Sequence, residues 1–270
     1  MSEKQGTVCV VGLGTVGLPT AMYIKRKGFR VYGYDVLDVK VRGLKVTSNW
    51  DDVPRDVDIY VICVSTGLDV NQQPDLKSIY DVCERIKQKN PDSLVCIEST
   101  IPVGTCKSIT EKFNLKKIAH CPHRYWREDP KRHGVKQLRV LGAVNSEALN
   151  LAKNFYSKLG IPTYIVSKVE VAELCKIIEN TYRFVQIAFA EELRMFCESL
   201  GLNFEEVRNA CNTKWNIEIL EARYGIGGEC LPKDTRYSLS IAKSLGLSLD
   251  IVEAALRSDD RYKAWVGRLR

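Results

Sequence analysis

From Ser167 to Gly201 the chain reads SKVEVAELCKIIENTYRFVQIAFAEELRMFCESLG, with no proline and no glycine before the last position. Nothing inside it breaks a helix, and both ends carry helix signals. Ser167 with Glu170 three residues on is a capping box, and Gly201 stands where a left-handed residue closes a helix. One helix of ~33 residues is predicted, roughly 50 Å long at 1.5 Å per residue. Apolar side chains occur nearly all round it, at Leu174, Ile177, Ile178, Tyr182, Val185, Ile187, Phe189, Leu193 and Phe196. That pattern predicts burial between two layers or two subunits rather than one solvated face. Lys176 and Asn180, four apart, share a side of the helix.

The residues before it alternate strand and helix. Thr7 to Val11 is an apolar strand that breaks into Gly12-Leu13-Gly14-Thr15-Val16-Gly17, then a helix ending at Gly28, then a strand from Phe29 to Tyr34 ending on Asp35. In this setting the glycines have separate uses: a tight turn, close approach of backbone to a pyrophosphate, and packing of helix on strand. A diphosphate meets the helix N-terminus, and Asp35, eighteen residues after Gly17, can accept a hydrogen bond from a ribose 2′-hydroxyl. The same carboxylate would repel a 2′-phosphate, which favours NAD over NADP. Further strands are expected at Asp58–Val64, Leu94–Ile97, 116–120, 137–144 and 162–166. Helices are expected from Pro74 to about Lys89, Gly104 to Phe113 and Ser146 to Leu159. The pattern predicts an α/β fold, a doubly wound, mostly parallel sheet with ligands at the carboxyl ends of the strands, where Thr66 and Thr100 sit.

Beyond Gly201, Asn203 with Glu206 starts another helix through about Cys211. The segment Tyr224-Gly225-Ile226-Gly227-Gly228-Glu229-Cys230-Leu231-Pro232-Lys233-Asp234 reads as a tight glycine loop running into a helix that extends through Leu245. A thiol at a helix start is favoured as the nucleophilic thiolate. The plainer alternative is a turn with an incidental cysteine. The chain thus divides into a dinucleotide-binding region, 1–166, and an all-α region, 167–270, with one long central helix.

Hydrophobic content of 45% and charged content of 27% are those of a globular protein. No apolar run reaches the ~18 residues of a spanning helix, and MSEKQGTVCVVG lacks a secretory layout, so a cytoplasmic protein without membrane partners is expected. The net charge of +7 is scattered apart from Lys116-Lys117 and the C-terminal stretch, which argues against nucleic acid as a partner. The 10 cysteines include no Cys-x-x-Cys pair, and several lie in apolar strands, where a thiol acts as a small hydrophobe. No disulfide framework is expected. His120, Cys121 and His123 lack a second ligand pair at matching spacing, so no metal is expected.

With these pieces assembled, the chain resembles the nucleotide-sugar 6-dehydrogenases, the UDP-glucose/GDP-mannose dehydrogenase family. The matching stretches are GLGTVGLP at 12–19, CVST at 63–66 with PDL at 74–76, ESTIPVGT at 98–105, AELCKIIENTYRFVQIAFAEEL at 172–193 and GIGGECLPKD at 225–234. The helix wording and Cys121-Pro122-His123-Arg124 most resemble the branch acting on UDP-N-acetylhexosamines, whereas GGECLPKD resembles the UDP-glucose and GDP-mannose branches.

The resemblance implies oxidation of a sugar C6 alcohol to a carboxylate by two hydride transfers to NAD. It implies that Cys230 attacks the intermediate aldehyde, forming a thiohemiacetal and then a thioester that water hydrolyses. Lys176 would stabilise the developing oxyanion, Asn180 would orient substrate or oxyanion, and Asp234 would position Lys176 or water. Thr100 would join the water network beside the nicotinamide. Gly12, Gly14, Thr15, Val16, Gly17, Asp35, Val64, Ser65, Thr66, Ser99 and Thr100 would hold the cofactor. His123, Arg124, Lys176, Asn180 and Gly227 would contact a UDP-sugar, and the long helix would form a homodimer interface.

Two departures stand out. Where UDP-glucose enzymes carry a Ser-Pro-Glu-Phe-Leu-x-Glu stretch, this chain has Cys121-Pro122-His123-Arg124-Tyr125-Trp126-Arg127-Glu128. Either His123 or Glu128 takes over the proton chemistry, or that chemistry is changed. The family's third domain is also absent from the sequence, which stops at Arg270. Two other readings compete: a β-hydroxyacid dehydrogenase-like enzyme that stops after one hydride, and a non-catalytic NAD-binding dimer.

Overall fold

The structure is a computed structural model, and it describes residues 6–268. Contacts divide the chain into two compact units, one comprising residues through Asp69 and Pro74–Lys176, the other Val70–Gln73 and the chain from Ile177. This division falls inside the long helix.

The first unit alternates as its hydropathy predicts. In order come β1 (Thr7–Val11), α1 (Gly17–Arg26), β2 (Arg30–Tyr34), β3 (Lys45–Thr47), β4 (Ile59–Ile62), β5 (Gly67–Leu68), β6 (Pro74–Asp75), α2 (Lys77–Lys89), β7 (Leu94–Ile97), α3 (Thr105–Phe113), β8 (Ile118–His120), β9 (Arg139–Ala143), α4 (Ser146–Leu159) and β10 (Thr163–Ile165). Eight strands form one sheet in the order β10-β9-β8-β7-β4-β1-β2-β3. All neighbours pair parallel except β8 and β9, which run antiparallel with Ala119 opposite Ala143. The doubly wound, mostly parallel sheet is therefore present.

The strands are apolar throughout because both faces are covered. Along β1, Val8 and Val10 enter a core with Ala21, Ile24, Phe155 and Tyr156, while Cys9 and Val11 face Tyr60, Ile79, Val82 and Ile109 on the other side. This is the period-two alternation of a strand shared by two cores. The chain leaves β1 towards β2 and β3 on one side and resumes at β4 on the other. The crevice at the carboxyl ends of β1 and β4 is thus a topological switch point.

Pro74 and Asp75 do not open α2. They pair with Leu68 and Gly67 in a short antiparallel hairpin, and the Asp75 carboxylate accepts the Lys77 N–H at 3.0 Å, so the helix begins three residues later than expected.

The long helix, α5, runs Val169–Ser199. It closes as expected: Gly201 has φ +69°, its N–H donates to Glu198 O at 3.1 Å, and the Leu202 N–H donates to Cys197 O at 3.0 Å. These are the two bonds of a Schellman motif. Within the first unit, the buried Glu173 of α5 accepts the Gly104 N–H at 2.6 Å and the Cys106 N–H at 2.8 Å. It caps α3, whose own N-cap, Gly104, has no side chain to offer.

The all-round burial expected of α5 is only partly met within one chain. Ile177 and Phe184 are fully buried, but Leu174, Ile178, Tyr182, Phe189 and Phe196 are 39–63% exposed. At 100° per residue these five fall within one sector of under 90°, a continuous apolar stripe.

The second unit adds α6 (Phe204–Cys211), α7 (Cys230–Ser244) and α8 (Asp250–Arg268) to the remainder of α5. Ala190, Cys197, Phe204, Ala222, Tyr262 and Val266 form one core cluster, and Phe184, Ala188, Ile226 and Ala255 a second.

Candidate active site

In the first unit the glycine turn has the geometry a dinucleotide needs. Gly12 has φ +86°, donates its N–H to Tyr34 O at 2.8 Å, and a Cβ there would lie 2.8 Å from the Cys63 carbonyl and the Val64 nitrogen. A Cβ on Gly17 would fall 1.7 Å from the Gly12 oxygen, so neither position accepts alanine. Gly14 is different: a Cβ there meets nothing within 4 Å. The backbone at Gly14 therefore faces open space beside the start of α1, whose N-cap Val16 offers no side-chain cap. An uncapped helix N-terminus behind an open glycine suits a diphosphate.

Asp35, at the end of β2, is fixed by the Leu13 N–H (2.6 Å) and the Leu37 N–H (3.0 Å). At the ends of β4 and β7, Thr66 Oγ1 donates to Thr100 O at 2.8 Å and Ser99 Oγ donates to Val64 O at 2.6 Å. Residues 64–66 and 99–100 are thus brought together, with Ser99 buried and Thr15 and Ser65 exposed.

Beneath this edge lies a charged network. The Glu98 and Arg139 side chains are each 1% exposed and paired at 2.9 Å. Tyr156 Oη donates to Glu98 Oε1 at 2.8 Å, and His123 Nε2 contacts Glu98 Oε2 and lies 3.0 Å from Thr20 Oγ1. Burial alone would raise the Glu98 carboxyl, but the Arg139 charge, then His123, hold it down at about 2. Burial, then Arg139, push His123 down to about 4. The imidazole is therefore neutral at pH 7, chiefly because it is buried and next because Arg139 lies beside it. The contact with the ionised Glu98 carboxylate requires the proton on Nε2, and among the described residues the buried Nδ1 has no hydrogen-bond partner.

The donor atoms of Cys63, Glu98 and His123 lie within 4.8 Å of one another, but the Arg139 guanidinium supplies the positive charge there and opposes a cation. Arg124 Nη1 donates to Leu138 O at 2.9 Å, while Glu128 is exposed. Arg139 and Glu98 escaped the sequence reading. The signal for both was a charge inside or directly abutting an apolar strand.

In the second unit, Cys230 is the first residue of α7 and is exposed. The loop before it turns through Gly225 (φ +94°) and Gly228 (φ +76°), and Gly227 has open space around its Cα. Asp234, one turn after Cys230 and on the same side of α7, is fully buried. Its carboxylate accepts Asn180 Nδ2 on one oxygen and Lys233 Nζ on the other. Asn180, Asp234 and the Cys230 loop are therefore tied together. Lys176, half-buried, is the last residue of the first unit, one helical turn before Asn180 on α5. All ten cysteines are free thiols, and only Cys211 and Cys230 are exposed.

An open glycine turn at the switch point of a parallel sheet, beside an uncapped helix start, is the arrangement of a dinucleotide-dependent enzyme. Comparison with known proteins gives the same class. Residues 38–160 match the NAD binding domain of the UDP-glucose/GDP-mannose dehydrogenase family, and residues 170–261 its central domain. The chain belongs to this family of NAD-dependent dehydrogenases.

The UDP-N-acetyl-D-mannosamine dehydrogenase of Methanocaldococcus jannaschii is 31% identical over 276 residues, covering 91% of this chain and 65% of that protein. The structure of UDP-D-ManNAc dehydrogenase from Pyrococcus horikoshii superimposes with a TM-score of 0.87 at 29% identity, over 97% of this chain and 70% of that one. The chain spans about two thirds of the length of the curated relatives it matches. The 3-hydroxyisobutyrate dehydrogenase of Mycobacterium tuberculosis shares the fold, with a TM-score of 0.74 at 14% identity over 97% of this chain and 94% of that one. Among the described residues, no helix is long and apolar enough to cross a membrane.

Proposed function

We propose that this chain carries the NAD-binding and catalytic parts of a nucleotide-sugar 6-dehydrogenase that oxidises the C6 alcohol of a UDP-N-acetylhexosamine to the uronic acid. UDP-glucose is the alternative substrate. The observation that carries the reading is Cys230, exposed at the start of α7 one turn from the buried Asp234, which Asn180 holds. The N-acetylhexosamine preference is supported by the names of the relatives and by Cys121-Pro122-His123-Arg124.

Gly12, Gly14, Thr15, Val16, Gly17, Asp35, Val64, Ser65, Thr66, Ser99 and Thr100 would hold NAD, which would supply the hydride acceptor for both oxidations of each sugar. Loss of the first hydride and the hydroxyl proton leaves an aldehyde at C6. The Cys230 sulfur bonds to that carbonyl carbon while the thiol proton passes to the carbonyl oxygen, giving a thiohemiacetal. Loss of a second hydride and the new hydroxyl proton gives the thioester. Water then adds and the C–S bond breaks, releasing the carboxylate and a proton and restoring the thiol.

Lys176 and Asn180 stabilise the oxyanion of these steps, Asp234 positions the amide and the water, and Thr100 orders water beside the nicotinamide. Arg124, Gly227 and His123 are assigned to the sugar nucleotide, His123 through its unpartnered Nδ1. Functionally, 1–166 is the cofactor domain and 167–270 the catalytic and dimerising one. The apolar stripe on α5 supports a homodimer through that helix, and the ten reduced thiols suit the cytoplasm.

The test is NAD reduction with each UDP-sugar, counting NADH per sugar. Two per sugar with a UDP-N-acetylhexosamine, abolished by Cys230→Ser, is expected. One NADH per sugar, untouched by Cys230→Ser, would indicate a single-hydride enzyme instead.

A further inference from the structure

The segment 222–226, which leads into the Cys230 loop, is held by one face of α8 together with Arg194 of α5. Asp259, three and four residues before Tyr262 and Lys263, shares that face with them. Asp259 Oδ1 accepts the Ile226 N–H at 2.8 Å, and Asp259 Oδ2 pairs with Lys263 Nζ at 2.7 Å. The Lys263 stem lies across Gly225, where a Cβ would fall 2.4 Å from Lys263 Cγ. Tyr262 Oη donates to Arg223 O at 2.9 Å, and Arg194 of α5 reaches the same point, its Nη1 lying 3.1 Å from Ala222 O and 3.0 Å from Tyr262 Oη. Every one of these groups belongs to the second unit.

We propose that Asp259, Tyr262 and Lys263, with Arg194, are positioning residues that latch the loop carrying Cys230. None of them touches the reacting atoms, and their role is exerted through the backbone of 222–226. The assignment rests on Cys230 as the reactive thiol, but the latch itself is a property of the loop.

Glu191 of α5 gives the latch a pH response. It is fully buried, neither carboxylate oxygen has a donor among the described residues, and Asp259 is its carboxylate neighbour. Burial, then the charge on Asp259, push its carboxyl up to about 8, with Lys263 opposing the shift. The charged and titratable groups that act on it or that it acts on are Asp259, Tyr262 and Lys263, all on α8. Below about pH 8 Glu191 is neutral and Asp259 keeps its two partners. Above it, two buried carboxylates face each other, and the latch loosens.

The test uses the whole chain and two readouts: amide hydrogen-exchange protection across 222–229, and the rate at which an alkylating agent labels Cys230, with Cys211 as internal reference. Asp259→Ala removes the acceptor for Ile226 and is expected to lower protection about tenfold, the effect of one net hydrogen bond. Asp259→Asn keeps an acceptor oxygen and is expected to restore most of it. Tyr262→Phe leaves the ring in place and is the second probe should Asp259→Ala unfold. In the wild type, protection corrected for intrinsic exchange should fall above pH 8, and Glu191→Gln should remove that step. In turnover, Asp259→Ala should lower kcat with KM little changed, as expected for misplacing the thiol and not the sugar. Protection and Cys230 labelling unchanged in both Asp259→Ala and Tyr262→Phe would overturn the latch. Absence of NADH formation by the wild type would instead sink the functional reading, with the exchange data still deciding the latch.

Discussion

Two buried acidic residues in this chain meet opposite fates. Glu98, in the first unit, is surrounded by Arg139, His123 and Tyr156 and is held down at about 2, whereas Glu191, in the second, is pushed up to about 8. Both are buried, so desolvation alone does not separate them. The difference is a buried cation. Arg139 is as deeply enclosed as Glu98 and meets it at 2.9 Å. Among the described residues the cation acting on Glu191 is Lys263, which is half-exposed and already committed to Asp259. A buried carboxylate stays ionised where a guanidinium is folded in beside it, and takes up a proton where its nearest neighbour is another carboxylate.

The strongest way to break this contrast is to remove the cation. Arg139→Met should leave Glu98 as an uncompensated buried charge and destabilise the chain by about 3–5 kcal/mol, measured by chemical denaturation at pH 7. The loss should shrink in Glu98→Gln/Arg139→Met, since the penalty belongs to the unpaired charge. An equal loss in the single and double variants would show that Arg139 contributes by packing alone.

Glu191→Gln should act in the other direction. A carboxyl whose folded value lies above its unfolded one binds more protons when folded, so stability falls as pH rises from about 4.5 to about 8 and is level beyond. Glu98 has the reverse sign: its stabilisation is present above about 4.5 and is lost as pH falls towards 2. The wild type should therefore lose stability on both sides, through different residues. Replacing Glu191 by glutamine should raise stability at pH 7 by as much as about 3 kcal/mol and flatten the slope between pH 5 and 8, leaving the acid limb unchanged. A thermal-unfolding series in pH, run on both proteins, reads this directly.

The parts of this comparison that local rules govern were legible in the sequence. Gly12 and Gly17 were, because a turn that forbids a Cβ shows itself as a glycine. The length and C-terminal closure of α5 were, because the absence of breakers and the position of Gly201 are local facts. Glu173 capping α3, Glu98 meeting Arg139, and Asp259 holding Ile226 were not, because each joins residues 33 to 69 positions apart. Hydropathy likewise gave the apolar character of α5 but not its exposed stripe, since periodicity does not say what covers a face. His123 was legible as unusual. Its neutrality follows only once the fold buries it and places Arg139 nearby.

The finest probe of the contrast is Tyr156→Phe, which removes one hydroxyl from Glu98 and leaves the ring packed against Phe155. A network already neutralised by Arg139 should tolerate the loss at about 1 kcal/mol, the net value of one hydrogen bond. The Glu98 carboxyl should rise, because a donor to its charged form is gone, and the acid limb of the stability profile should move to higher pH. The direction of that movement is the informative outcome. If the acid limb stays where it is while stability falls, Arg139 and His123 alone set the charge state of Glu98. If it moves, the tyrosine is part of what separates this carboxylate from Glu191, whose oxygens find no donor.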